Sequence, residues 1–384
     1  MGAHGGKGPT TPARGQIGGP AAPLGPPERG QRLAWVDVAR GALIILVVLY
    51  HVITVHLLSN SFEIDSASAT GLAAVIAALR PLRMPLFFLI SGFLANRALK
   101  RSWPELLRSK SWFFYYLYLL WLVIHTAVMI ALHNRELIDV MGSAAMFNGP
   151  PQGIIVDYLV DATIAPTNLW FLYALAVYFP LAKLLSGVER WAIVAAFIAF
   201  LVSAEGWPGV GLGQLAGVAG FFFWFLLGCH FREVIARFAA GPRLVGIAVA
   251  VTLFVGAQIL EVLLGHRISL LLAVASVGGC YLGVVAAASI AEHLPRTRRL
   301  LAHIGSRTLP IYVMHMPLVW VVHAIMTSSA GLPHPAAPWA VTAYTIGITA
   351  GAIGIALLLH AALGRAMPFF FALPRRARQR RNRA

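Results

Sequence analysis

Ionisable side chains are rare in this chain, and those inside its apolar stretches are the residues whose types could do chemistry. They are Asp37, Arg40, His51, Arg80, Arg83, His125, Glu261, His315, His323 and His360. A charge or an imidazole inside a membrane segment is costly, so each is a candidate functional group by default. Arg40 and His51 are separated by ten residues. At helical spacing their angular separation is about 1100°, so they share one face roughly 16 Å apart along the axis. Asp37 lies one turn before Arg40 and is placed to pair with it. One face thus offers a cation at one depth and a titratable imidazole at another. The purely structural reading is that Arg40 reaches the membrane surface and His51 holds a hydrogen bond between helices.

A second group is Arg80-Pro-Leu-Arg83, followed by Met-Pro-Leu-Phe-Phe-Leu-Ile-Ser-Gly-Phe to Phe93. It reads as two arginines near the middle of a span broken by Pro81 and Pro85. Mid-span guanidinium groups need anions, backbone carbonyls or a wet cavity, and their fork geometry suits phosphate or carboxylate. A third is Ser306 to Pro317, with Tyr312 one turn before His315. His315 is expected at about the depth of Arg40. His125, His323 and His360 read as packing residues. Glu261 reads as solvated near an outer end, and Asp157 and Asp161 as candidates for an acceptor site on an outside loop.

The elements that must position these residues are membrane helices. The chain has 384 residues, of which 59% are hydrophobic and 11% charged. Soluble domains run about 45–50% apolar and about 25% charged. Continuous rather than alternating apolar runs exclude an outer-membrane barrel. The reading is an all-α polytopic bundle of about ten spans, at 33–57, 70–98, 111–132, 168–186, 191–206, 213–231, 244–263, 269–291, 309–327 and 338–363. Residues 1–31, rich in Gly and Pro, read as a disordered cytoplasmic tail. Residues 32–365 form the transmembrane domain, and 366–384 a basic cytoplasmic tail. The first apolar run is too long for a signal peptide and is expected to stay as a span.

The net charge of +16 reflects basic loops on one side rather than nucleic-acid binding. Even-numbered loops carry Arg97, Lys100, Arg101, Arg108 and Lys110, then Lys183 and Arg190, then Arg232, Arg237 and Arg243, then Arg296, Arg298, Arg299 and Arg307. Odd-numbered loops carry Arg135 and Arg267. This asymmetry places both termini in the cytoplasm of a plasma or inner membrane. Cys229 and Cys280 lie in apolar segments and form neither a disulfide framework nor a zinc site. Phosphate-binding glycine loops, nucleophile elbows and metal-ligand spacings are absent.

Four segments resemble motifs of the acyltransferase 3 family, in order and spacing across residues 32–363. Arg40-x10-His51 resembles its Arg-x10-His motif. Arg80-Pro-Leu-Arg83 and Phe87-Phe-x-x-Ser-Gly-Phe93 resemble its Arg-x-x-Arg motif and continuation. Asn168-Leu-Trp-Phe-Leu172 is similar to its Leu-Trp-Phe-Leu region, and Tyr312-x-x-His315-x-Pro317 to its late Tyr-x-x-His-x-Pro segment. The resemblance implies about ten spans. It implies transfer of an acyl group, often acetyl from acetyl-CoA, to a hydroxyl of an envelope polysaccharide or secreted glycoside. Arg40, His51, Arg80 and Arg83 match residues the family needs for activity. Some members carry a fused extracytoplasmic domain; here transfer is expected in the membrane domain or with a partner.

On that reading His51 is a general base or a transient acyl carrier, and Asp37 and Arg40 set the electrostatics near the donor. Arg80 and Arg83, with Tyr312 and His315, form the donor-binding group, holding phosphate or stabilising an oxyanion. Acyl-CoA is a donor substrate, and no cofactor is permanently bound. The partners are acyl-CoA, a sugar, polysaccharide or glycolipid acceptor, and the bilayer. The competing readings are a transporter or flippase for an anionic or glycosidic substrate, and a non-catalytic envelope-assembly protein.

Overall fold

The computed structural model describes Gly2 and residues 33–58, 66–132, 160–163, 167–205, 213–241, 244–328 and 337–374. Asp157, Arg135, Arg243, nearly all of the Gly- and Pro-rich start and the arginines from Arg375 onward lie outside the described residues. Among the described residues the regular structure is helical and no strand occurs. The helices are α1 (Ala34–Leu57), α2 (Ser66–Ala78), α3 (Arg80–Leu99), α4 (Trp103–Leu132), α5 (Trp170–Leu184), α6 (Glu189–Glu205) and α7 (Gly213–His230). There follow α8 (Arg232–Ala240), α9 (Leu244–Leu264), α10 (Ser269–His293), α11 (Pro295–Gly305), α12 (Thr308–Ser328) and α13 (Pro338–Ala366).

Each expected span coincides with helix, but the described residues contain seven helices long and apolar enough to cross a bilayer. These are α1, α3, α4, α9, α10, α12 and α13. The pair α7 and α8, bent by 74°, would make an eighth. Helices α5 and α6 have 15 and 17 residues, short of the roughly 20 that match a hydrocarbon core.

The segment expected as one broken span at 70–98 is two helices. Leu79 separates α2 from α3. Pro81 falls in the first turn of α3, where its missing N–H costs nothing. Arg80 and Arg83 are therefore not mid-span. They open α3, and Pro85 is the proline carried inside that helix.

Helices α1, α3 and α12 are the most buried of the candidate spans, and α1 carries Asp37, Arg40 and His51. The apolar window of α1 is 56% buried, and it packs on α3, α10, α11, α12 and α13. Helix α9, only 11% buried, is the outlier. Two close crossings depend on glycine. A Cβ on Gly41 would collide with the backbone of Leu301, and one on Gly305 with the backbone of Asp37, so α11 lies directly against α1. Gly92 and Gly228 likewise press α3 and α7 together, backbone to backbone.

The basic loops gather at one end. Lys183 Nζ donates to the carbonyls of Leu99, at 2.9 Å, and Arg101. The Arg232 guanidinium sits 5.1 Å over the Phe93 ring. Arg296, Arg298 and Arg299 open α11, beside the start of α1. The opposite end brings Arg80 into electrostatic range of Glu261 and Arg267. There the Ile268 N–H donates to Glu261 at 3.3 Å, so this carboxylate is not simply solvated.

Pro317 explains His125. Without an N–H, Pro317 leaves the Val313 carbonyl without its helical donor. His125 Nε2 supplies it at 2.8 Å, as a satisfied core histidine. The expected tail from residue 366 starts with packed chain: Tyr116 and Trp121 of α4 donate to the carbonyls of Phe369 and Phe370 at 3.1 and 2.9 Å.

Candidate active site

Helices α1 and α12 run side by side in the same direction and carry a polar column through the apolar bundle. At the basic end Arg40 donates to Thr308 Oγ1 at 2.5 Å. Asp37 lies 3.8 Å from the same guanidinium, the pairing expected from their spacing. The buried Thr308 hydroxyl itself donates to the Gly305 carbonyl at 3.4 Å. Arg40, Thr308, Ser91, Lys110 and Tyr312 line a cavity of about 240 Å³, whose remaining wall is mostly Phe and Leu. Lys110 is half-buried, with its ammonium 5.3 Å from the Phe179 ring. Two cations therefore share one small chamber.

His51 lies further along the column, and here the structure corrects the sequence reading. His315 is not at the depth of Arg40. Its ring centroid is 5.2 Å from that of His51, while Thr308 occupies the place beside Arg40. Thr308 and His315 are two turns apart on α12, whereas Arg40 and His51 are three turns apart on α1. His315 Nδ1 bonds the Tyr312 carbonyl at 2.6 Å. A carbonyl only accepts, so Nδ1 carries the proton and Nε2 bears the lone pair. That Nε2 is buried and has no hydrogen-bond partner among the described residues. The Tyr312 ring, 5.8 Å from His315, connects the pair to the cavity wall.

Arg83 also belongs to the His51 end. Its guanidinium stacks on Tyr50 at 4.2 Å, and Tyr50 lies 5.0 Å from His51. Its buried Nη1 has no hydrogen-bond partner among the described residues. Arg80 is exposed at the far end of α3. The structure thus separates the cations: Arg40 and Lys110 at the cavity, Arg83 and Arg80 beyond the histidines.

The four segments singled out in the sequence converge. Phe87 and Phe88 of α3 pack on Phe171 at 4.8 and 4.9 Å, and Phe88 on Trp170 at 5.6 Å. The Tyr312 hydroxyl donates to the Asn168 carbonyl at 2.6 Å and accepts from the Phe171 N–H at 3.3 Å. This clamp fixes α12, and with it His315, against α5. Asp161 is tied down through its carbonyl, which accepts from Tyr118.

A family model described as an acyltransferase domain matches residues 33–360. The chain belongs to the acyltransferase 3 family. Membership and the apolar spans together make it a multi-pass membrane acyltransferase. It is also similar to the inner membrane protein YcfT of Escherichia coli (strain K12), 28% identical over 306 residues that cover 75% of this chain and 80% of that protein. No solved structure matches it.

Thr308, Lys110, Ser91 and Tyr50 escaped the sequence reading. Thr and Ser are ordinary in membrane helices, Lys110 reads as one more loop charge, and nothing in the spacing marks Tyr50. A second imidazole pair was also missed. The His56 and His323 rings lie 5.1 Å apart, with His56 Nδ1 2.9 Å from the Tyr344 hydroxyl. In the sequence His323 reads as packing, and no pattern marks His56.

Proposed function

We propose that the protein moves an acyl group, acetyl in the simplest case, from acyl-CoA to a hydroxyl of a sugar, envelope glycan or glycolipid. It does so in a cell or inner membrane, with about ten spans and both termini cytoplasmic. The observation that carries this reading is the juxtaposition of His51 and His315, beyond a chamber walled by Arg40, Lys110, Thr308 and Tyr312.

The polyanionic donor enters from the basic end, where Arg40 and Lys110 meet its phosphate-bearing portion and Asp37 orients Arg40. The thioester reaches past Tyr312 towards the histidines. The acceptor oxygen attacks the thioester carbonyl while an imidazole of the pair takes its proton. The carbon–sulfur bond then breaks, and the leaving thiolate receives that proton. Arg83, next to Tyr50 and His51, stabilises the developing oxyanion. Arg80, at the outer end of the same helix, contributes a further positive charge. Two-step transfer through an acyl group on His51 uses the same residues.

Transport of an anionic substrate is the second reading, favoured by the buried, unpartnered Nη1 of Arg83 at a helix start. Purified protein incubated with radiolabelled acetyl-CoA separates the two. Acyl transfer predicts thiol release or protein-bound label that is lost in His51→Ala. Folded protein that neither binds nor cleaves acetyl-CoA would put transport first.

A further inference from the structure

On the other side of α3 from the cavity runs an apolar groove of about 390 Å³. Leu89 of α3, Trp224 of α7, Ile235 and Phe238 of α8, Val249 of α9 and Val277 of α10 are among its walls. Phe87, Ile90, Ser91 and Leu94 of α3 turn to the cavity instead. The groove is therefore no extension of the cavity, and an acyl chain on a donor held there cannot fill it.

The groove's surroundings specify an occupant. Its outer wall, α9, is the least buried candidate span and faces hydrocarbon. At the basic end of the molecule α8 bends 74° away from α7. It puts Val234, Ile235 and Phe238 into the groove and carries Arg232 and Arg237 against one carboxylate, Glu233. A short helix with an apolar face and basic side chains lies at a membrane interface. Arg232 is held in place by the Phe93 ring. A hydrocarbon slot whose lining residue Phe231 is followed directly by Arg232 fits a chain attached to an anionic phosphate, and basic pockets between spans bind such headgroups.

We propose that this groove holds one acyl chain of an anionic glycerophospholipid, with its phosphate on Arg232. The site is separate from the transfer site. It would fix α8 and the peripheral α9 against α10.

Trp224 supplies the reporter. The full-length protein is placed in phosphatidylcholine nanodiscs doped with phosphatidylglycerol or phosphatidylcholine whose chains are brominated, and tryptophan fluorescence is followed. Subtracting the Trp224→Phe variant isolates quenching inside the groove. The expected result is Trp224-dependent quenching at lower brominated phosphatidylglycerol than phosphatidylcholine, by roughly fivefold. Arg232→Gln should erase that preference. Val277→Phe fills the groove at a half-exposed position and should abolish the Trp224-dependent signal for both lipids. Equal quenching by the two lipids would mean ordinary bilayer contact, and no Trp224-dependent quenching would mean a groove closed to lipid. Either result overturns the proposal.

Discussion

Thr308→Val tests whether the cavity works as a unit, because valine keeps the shape of threonine and removes only its hydroxyl. That hydroxyl accepts from Arg40 at 2.5 Å and donates to the Gly305 carbonyl at 3.4 Å. A hydrogen bond to a charged group contributes about 1.5–3 kcal/mol. If all of it serves to hold Arg40 in its working position, the loss in kcat/KM is roughly 10- to 150-fold. Asp37 at 3.8 Å still restrains the guanidinium, which places the expected loss near the lower end, about tenfold. Thr308→Ser, which keeps the hydroxyl, should recover most of it. The assay is acetyl-CoA cleavage by purified protein, followed as thiol release over a range of donor concentrations. The loss should appear mainly in KM for the donor. Combined with Arg40→Gln, Thr308→Val should add almost nothing, because both remove the same contact. Activity of Thr308→Val within twofold of wild type, or losses that multiply in the double variant, would refute the reasoning.

Three other outcomes are expected. Lys110→Gln should raise KM for acetyl-CoA and leave kcat nearly unchanged, as measured by the same thiol assay. Tyr50→Leu removes the ring under Arg83 and should lower kcat by roughly 3- to 30-fold, the range of a cation–π contact of about 0.5–2 kcal/mol, whereas Tyr50→Phe should retain activity. Gly92→Val and Gly228→Val each drive a side chain into the facing backbone. Each should reduce stability by about 1–3 kcal/mol, seen as a lower thermal midpoint of the detergent-solubilised protein.

The sequence made the helical membrane fold legible, because it follows from composition and short-range spacing. The Asp37–Arg40 pair was legible for the same reason: it is an i,i+3 relation within one helix. What could not be read was set by how helices cross. The approach of His315 to His51 depends on the register of α12 against α1, which no spacing within one helix encodes. The two arginines read as mid-span only if Pro81 is a break within a span, and it lies in the first turn of α3. Proline in a first turn is a start signal, and reading it so would have put Arg80 and Arg83 at the opening of α3. At 168–186 and 191–206 the sequence reads spans, and the described helices there, of 15 and 17 residues, are shorter than the roughly 20 that match a hydrocarbon core.

The central claim is that His51 and His315 act as one proton-accepting unit. It is tested most directly by the rate of acetyl-CoA cleavage in wild type, His51→Ala, His315→Ala and the double variant, each shown to be folded. Loss of a general base lowers a rate by about 10²- to 10⁴-fold. The account predicts a loss of that size in each single variant and no further loss in the double. Wild-type turnover in His315→Ala, or single losses that multiply in the double variant, would contradict it.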